Sequence, residues 1–359
     1  MGDLRTAAVM DVHVVVPDGI DDPGRPSGGN VYDRRLCTEL AAMGWAVHEH
    51  AVRGPWPTPG PADCAALGEL LAGIPDGAQV LLDGLVASAA PEVLVPEARR
   101  LRLVILVHMP LGQAGPGRAV EEREGAVLEA AAAVVTTSRW TRCFLLARHT
   151  LQPDRVHVAQ PGVDPAETAP GTATGGELLC VAAVSPHKGH DVLLAALAMI
   201  RHLPWRCTCV GSLDRDPGFV DRLRSQAREL RISDRVRITG PLTGPELSTA
   251  YAGADVLVTA SRGETYCMVV TEALARGLPV VATAVGGIPE ALGRAPGGSL
   301  PALLVPPDAP VALAEALRAW LGDADLRLQL RHAAEQRRAT LCGWSATADR
   351  VSRVLAGVA

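Results

Sequence analysis

Lysine is almost missing from this chain. Lys188 stands alone beside thirty-three arginines, and Asn30 is the only asparagine. In a sequence rich in Ala, Arg, Gly and Pro, that depletion fits a GC-rich coding sequence. A lysine that survives such drift marks a place where a compact, strongly hydrated charge serves and a planar fork does not. The eight cysteines are scattered and none form a CxxC pair, so they read as buried thiols of a reduced, cytosolic protein. Cys207 and Cys209 fall on one face of a strand. No apolar run reaches the ~18 residues a membrane helix needs. The opening MGDLRTAAVMDVHVVVPDG has an acidic residue inside its apolar segment and reads as a first strand, not a signal peptide. A net charge of −5 with both signs interspersed gives no reason to expect a nucleic-acid partner.

What is present is apolar residues, 48% of the chain, over 359 residues. By a soft prior of ~150 residues per domain this suggests two domains, each with its own core. The densest local signal is Ala260–Glu290, ASRGETYCMVVTEALARGLPVVATAVGGIPE. An apolar strand, Asp255–Thr259, leads into Ser261-Arg262-Gly263. Thr265 reads as the N-cap of a helix over Tyr266–Arg276, which Gly277 ends as a C′ residue. A second strand, Leu278–Thr283, follows and breaks at Gly286-Gly287. This is a βαβ unit, and its sheet is expected to be parallel. Ligands of such sheets bind at the carboxyl ends of strands, where helix N-termini present free N–H groups and favour an anion such as a diphosphate. Glu264 lies just before the helix, placed to accept from hydroxyls. Glu272 lies one turn beyond Met268 on the same face, suited to a second polyol such as a ribose. The plainer alternative has Glu264 favouring the helix dipole and Glu272 solvated.

Taken in order, the first half alternates apolar strands with helical segments, which argues for an open α/β sheet. Expected strands are Ala7–Pro17, Ala46–Val52, Gln79–Val86, Arg102–His108, Ala132–Ser138 and Arg155–Gln160. Gly28-Gly29 follows a polar loop after the first strand and opens a helix, VYDRRLCTELAAMGW, where backbone can approach a ligand closely. A plain loop with Asn30 as N-cap is the alternative. His108 ends a strand, and by itself reads as a hydrogen-bonded structural residue. His48 and His50 share a strand face, but two ligands without a third rarely hold a metal. Near PGVD (residues 161–164) the alternation pauses, and Ala166–Gly176 reads as an interdomain linker. The second half restarts with strands Glu177–Val184, Trp205–Gly211 and Arg235–Thr239. Helices are expected at VLLAALAMIRHL, Phe219–Arg231, Gly244–Ala252, Pro310–Gly322, Asp325–Thr340 and Ser345–Val358, the last crossing back to the first domain. Lys188 sits in a strand-to-helix turn facing the same crevice as the Tyr266 helix. A merely solvated lysine there would be unfavourable against the dipole, whereas an ammonium would neutralise a diphosphate. Asp214-Arg215-Asp216 and Asp323-Ala324-Asp325 match a metal-binding Asp-x-Asp equally well, and both read as solvated carboxylates.

Two glutamates with seven residues between them, followed by EALARGLPVVAT and GGIPE, resemble the signature of retaining GT-B glycosyltransferases, the large family 4. The Gly28-Gly29 loop, PGVD and Cys342-Gly-Trp344 resemble further family features, so the likeness runs from Gly28 to Trp344. It implies a GT-B fold of two Rossmann-like α/β domains with parallel sheets facing a deep cleft. Residues 1–165 with the returning 341–359 would form the acceptor-side domain, and 177–340 the nucleotide-sugar domain. It further implies a hexosyltransferase type of reaction, moving sugar from a UDP- or GDP-sugar to an acceptor with retention. The helix Val31–Trp45 balances Arg34 and Arg35 with Asp33 and Glu39 and shows no basic face for anionic lipid, so a soluble small-molecule acceptor is expected. No cofactor, no metal and no membrane span is expected. Catalysis would rest on Glu264, Lys188 and His108, which contacts the donor sugar. The donor would meet Gly28, Gly29, Lys188, Arg262, Glu264, Thr265, Tyr266, Cys267, Met268, Val269 and Glu272, and the acceptor Gly29 and Asn30. The chain departs from the pattern in three places. Ala183 stands where many members carry an arginine five residues before the lysine, so either Arg262 or backbone amides carry more of the charge, or donor binding is weaker. Glu264-Thr-Tyr-Cys replaces the common E-G-F-G. Val210-Gly211-Ser212 lacks a second glycine. The rivals are an epimerase or phosphorylase on the same fold, and a non-catalytic sugar-nucleotide-binding scaffold.

Overall fold

The computed structural model describes residues 10–114 and 117–359 of the chain. Backbone contacts divide it into two compact units. One runs to Ile20 and from Gly29 to Pro161 and is completed by Trp344–Ala359. The other comprises Asp21–Gly28 and Gly162–Gly343.

The first unit opens with β1 (Asp11–Pro17), α1 (Gly28–Ala42), β2 (Ala46–Val52) and α2 (Pro61–Ala72). It continues with β3 (Gln79–Asp83), α3 (Gly84–Ala87), α4 (Pro91–Glu97) and β4 (Arg102–Val107). Then come α5 (Arg118–Ala130), β5 (Ala133–Thr136), α6 (Arg139–Arg148) and β6 (Val156–Val158). The six strands lie in the order β2-β1-β3-β4-β5-β6 and all pair in parallel. Parallel sheets are covered on both faces, which is why β4 reads as an unbroken apolar run with Leu103 to Val107 all buried. The order reverses between β1 and β3. The first expected strand begins at Ala7, and residues 7–9 lie outside the described ones. The strand expected over Gln79–Val86 stops at Asp83, whose carboxylate accepts the Leu85 N–H at 2.6 Å and starts α3.

The second unit contains β7 (Glu177–Val181), α7 (His190–Met199), β8 (Arg206–Val210), α8 (Pro217–Glu229) and β9 (Val236–Gly240). After these come α9 (Gly244–Ala252), β10 (Val256–Thr259), α10 (Met268–Ala275), β11 (Val280–Thr283) and α11 (Ile288–Leu292). Last are β12 (Ala302–Val305), α12 (Pro310–Gly322) and α13 (Ala324–Arg338). The order is β12-β11-β10-β7-β8-β9, again all parallel, with the reversal between β7 and β10. Residues after Pro161 are tied into this unit. Ala169 N–H donates to the Arg276 carbonyl at 2.9 Å, and Thr172 donates from backbone and hydroxyl to the buried Asp255 at 2.5 and 2.6 Å. Trp320, fully buried, donates to the Gly175 carbonyl at 2.8 Å.

The last helix, α14 (Trp344–Val358), belongs to the first unit. Trp344, Ala348, Val351 and Leu355 are buried on one face, at the i, i+4, i+7, i+11 spacing of an amphipathic helix. Ser352 receives the Trp45 indole N–H at 3.0 Å, and Trp344 meets the Tyr32 ring edge-to-face at 5.5 Å.

Candidate active site

In an open parallel sheet the crevice lies at the carboxyl ends of the strands flanking the point where strand order reverses. In the second unit those strands are β7 and β10, and the turns that leave them carry Lys188 and Glu264. Lys188 Nζ lies 2.7 Å from Glu264 Oε1. Burial opposes the ammonium charge, but the Glu264 carboxylate outweighs it and Lys188 titrates above its usual value. The same Oε1 also accepts the Ser261 hydroxyl at 2.7 Å. Ser261 is buried, shares a 3.1 Å contact with Thr259 Oγ1, and its carbonyl accepts from Thr283. Glu264 is therefore fixed through one oxygen, in a buried polar network whose members support one another.

Two close approaches hold the turns together, and each requires glycine. A Cβ on Gly189 would sit 2.0 Å from the Ala260 carbonyl oxygen, and one on Gly286 would sit 1.7 Å from that of Glu264. Both residues also have positive φ, +66° and +53°. The helix begins later than the sequence suggests. Thr265 and Tyr266 precede it, and Cys267 occupies the N-cap with φ 77° and ψ 73°, a left-handed conformation. The amides of Met268 and Val269 head α10, where no helical carbonyl precedes them.

Arg262 turns to protein partners. Its Nε donates to Asp308 at 2.7 Å, and its two terminal nitrogens grip Asp191 at 3.0 and 2.8 Å, with a further bond to the Pro186 carbonyl. Glu272 lies in the second turn of α10, where its carboxylate accepts the Tyr251 hydroxyl at 2.8 Å. Desolvation raises the Glu272 pKa, and the Tyr251 bond and Arg276 partly oppose it. Arg276 lies over the Tyr251 ring at 4.3 Å and also donates to the Glu272 carbonyl.

In the first unit, Gly28, Gly29 and Asn30 are the first three residues of α1, so Asn30 is inside the helix and is not its cap. A Cβ on Gly29 would meet the His108 ring at 3.3 Å, which seats the helix start against His108. His108 Nε2 lies 2.7 Å from Asp33 and 3.8 Å from Asp83, both buried. Burial lowers the pKa of His108, yet the two carboxylates carry it up to about 9. Burial and the nearby Asp33 push Asp83 up to about 7. The sequence pattern does not single out Ser261, Tyr251, Asp33 or Asp83. Only Asp83, at a strand end, carries a positional signal.

The Asp-x-Asp candidates have local duties. Asp216 accepts the Phe219 N–H at 2.8 Å and caps α8, and Asp323 accepts the Leu326 N–H at 3.0 Å and caps α13. His48 and His50 gain a third ring, His13 from β1. There His13 and His50 bond each other at 2.9 Å and His48 bonds Asp11 at 3.2 Å, so these nitrogens are already partnered. Among the described residues two groups bring three donor atoms within 4.8 Å, Asp33-Asp83-His108 and Cys180-His190-Cys209. In the first, Asp33 Oδ1 and His108 Nε2 are bonded to each other, while the buried Asp33 Oδ2 has no partner. In the second, His190 Nδ1 has no partner, so it lacks the outer hydrogen bond that ligating histidines keep.

Residues 172–337 match the family described as glycosyl transferases group 1. The D-inositol 3-phosphate glycosyltransferase 1 of Catenulispora acidiphila is 33% identical over 291 residues, covering 75% of this chain and 68% of that one. The chain belongs to the glycosyl transferases group 1 family. The D-inositol 3-phosphate glycosyltransferase of Kineococcus radiotolerans is 34% identical over 261 residues, 66% of this chain and 59% of the relative. The chain thus spans between about three-fifths and two-thirds of those relatives' length. Among solved structures, sucrose-phosphate synthase from Thermosynechococcus elongatus has a TM-score of 0.78 at 22% identity, covering 97% of this chain and 98% of that one. Anabaena HepE in complex with UDP-glucose has a TM-score of 0.78 at 16% identity, covering 97% and 100%. At these identities the likeness is one of fold. It places this group 1 member in the GT-B class, with two Rossmann-like α/β units. No helix among the described residues is long and apolar enough to cross a membrane.

Proposed function

We propose that this group 1 family member transfers a sugar from a nucleoside diphosphate sugar to a soluble, hydroxylated small molecule, with retention of anomeric configuration and without a metal. The observation that carries the reading is the Lys188–Glu264 pair, 2.7 Å apart at the strand-order reversal and beside the head of α10. An ammonium has three donors. One is spent on Glu264, and two remain for a diphosphate lying over the Met268 and Val269 amides. As the bond from anomeric carbon to diphosphate breaks, the charge that develops on the leaving oxygen meets Lys188 and those amides. The acceptor oxygen bonds to the anomeric carbon from the face the diphosphate leaves, and its proton passes to the departing phosphate oxygen. Glu264, held through Oε1, keeps Oε2 to orient the sugar. Glu272, aimed by Tyr251, would hold the ribose.

Asp33, hydrogen-bonded to His108, and the more distant Asp83 favour its protonated form. His108 is therefore suited to orienting a sugar hydroxyl and not to serving as a base. UDP- and GDP-sugars are the proposed donors, and the D-inositol 3-phosphate glycosyltransferase relatives support a polar acceptor. Arg34 on α1 is paired with Glu49 at 2.6 Å, which leaves it less available to anionic lipid.

The test combines calorimetry with UDP, GDP and ADP and transfer assays on the matching sugars, with the product anomer read by NMR. Glu264→Gln should leave affinity for the free nucleotide nearly intact and slow transfer, because free nucleotide has no sugar to orient. Glu272→Gln should weaken nucleotide and donor alike, by ~1.5–3 kcal/mol for a lost charged acceptor. Equal losses of nucleotide affinity in both variants would sink the assignment. Conversion of donor with no acceptor present would favour an epimerase, and binding without turnover a scaffold.

A further inference from the structure

Resting on that reading, we propose that Arg262 is a positioning residue that locks the Lys188 turn in place, leaving Lys188 as the side-chain cation that these two turns offer the donor diphosphate. Ala183 supplies no arginine, and the chain has no second lysine. Arg262 is no substitute, because its fork is closed. The bidentate grip on Asp191 and the bond to Asp308 set two carboxylates around one guanidinium. The group carries no net positive charge outward to an approaching diphosphate.

What Arg262 holds instead is the loop between β7 and α7. Its guanidinium donates to the Pro186 carbonyl, and its own backbone N–H donates to the His187 carbonyl at 2.9 Å. Asp191, in the first turn of α7, anchors the other side. Lys188 therefore sits between clamped residues, and the Gly189–Ala260 approach fixes the register of the same two turns. A planar fork with parallel donors can do this, and an ammonium cannot. The assignment separates the chain's two cationic side chains in these turns. Lys188 binds, and Arg262 builds the place from which it binds.

Because Lys188 is the only lysine, an amine-reactive reagent reports on it without ambiguity once peptides are mapped. The experiment measures the Lys188 labelling rate and affinity for UDP or GDP in wild type, Arg262→Ala, Asp191→Ala, Asp308→Asn and the Arg262→Ala/Asp191→Ala double variant, with unfolding midpoints as control. Labelling should be several-fold faster in Arg262→Ala and Asp191→Ala. Nucleotide affinity should fall about tenfold in each, the size of one misplaced charged contact. The double variant should be no worse than the poorer single, because both remove one clamp. Arg262→Lys should not rescue either readout, and Asp308→Asn should show a smaller change of the same sign.

If Arg262 is instead a phosphate ligand, Asp191→Ala should keep or raise nucleotide affinity by freeing the guanidinium, and Lys188 labelling should stay at the wild-type rate. That pattern overturns the proposal. If the wild type binds no nucleoside diphosphate, the functional reading fails. The labelling rates, which need no nucleotide, still decide whether Arg262 positions Lys188.

Discussion

Cys267 carries a side chain where the backbone favours none. Its φ of 77° lies in the left-handed region, which costs an L-residue roughly 1–2 kcal/mol and which glycine occupies freely. The conformation is imposed from below. The Glu264 and Thr265 carbonyls rest on Gly286 and Gly287, where any Cβ would lie within 2.1 Å of them, so the turn cannot settle deeper to relax Cys267. Within a regular helix alanine is more stable than glycine by about 1 kcal/mol. At this position the order should invert. Both replacements lose the thiol's packing, but only Cys267→Gly relieves the left-handed strain, so it should unfold at higher denaturant than Cys267→Ala. Urea or guanidinium melts of the two variants check this, and a more stable alanine variant would show that the strain is not there. The residue-level picture was partly legible. The solitary Lys188 and the pair Glu264 and Glu272, with seven residues between them, stand out in a linear reading. Ser261 and Asp33 do not, because what they do depends on residues brought near by the fold, as with Asp33 and His108, 75 positions apart. The Arg262 commitment was also invisible, since Asp191 and Asp308 come from separate turns.

At the scale of elements, parallel strands were easy to find and hard to bound. Runs such as RLVILV announce a strand buried on both faces, yet flanking apolar residues extend the run beyond the ladder. Thus Arg155–Gln160 contracts to Val156–Val158, and Glu177–Val184 to Glu177–Val181. The start of α10 moved from Tyr266 to Met268 because the cap is set by the left-handed Cys267, a residue type that gives no such warning. The short strand β12 and helix α11 went unread for a different reason, having four and five residues and little room for periodicity. Helix caps also explain why two Asp-x-Asp triplets look like metal motifs. Asp216 spends Oδ1 on the Phe219 N–H, and Asp323 spends Oδ1 on the Leu326 N–H. Asp216→Ala should accordingly cost about 1 kcal/mol of stability through the lost cap. Turnover below the melting range should stay near that of wild type, and activity should persist in excess EDTA for both proteins. Loss of activity in EDTA, restored by Mn²⁺ or Mg²⁺ in wild type but not in the variant, would return Asp216 to a metal role.

Over the whole molecule, one design is used twice: a six-stranded parallel sheet with one reversal of strand order, and the chemistry-bearing side chains on the turns beside it. In the second unit the turns after β7 and β10 carry Lys188 and Glu264. In the first, Gly29 heads the helix after β1, while Asp83 and His108 lie at the ends of β3 and β4. Both units are discontinuous in sequence: Asp21–Gly28 joins the second, and after Gly162–Gly343 the chain returns at Trp344 to complete the first. With aromatics only 3% of residues, the returning helix depends on few large contacts. Trp344 is 5% exposed and packs on Tyr32, which in turn donates to the Ala159 carbonyl at 2.9 Å and stands edge-on to His108 at 5.1 Å. Truncating a buried tryptophan typically costs 3–5 kcal/mol. Trp344→Ala should therefore lower the stability of the first unit by about that amount. It should leave affinity for free UDP or GDP unchanged below the melting range, because Lys188, Glu264 and Glu272 all belong to the second unit. Calorimetric unfolding with and without nucleotide separates the effects, with the mutation lowering one transition and the ligand raising the other. A Trp344→Ala protein that remains folded but loses nucleotide affinity would sink the assignment of free-nucleotide binding to the second unit's residues alone.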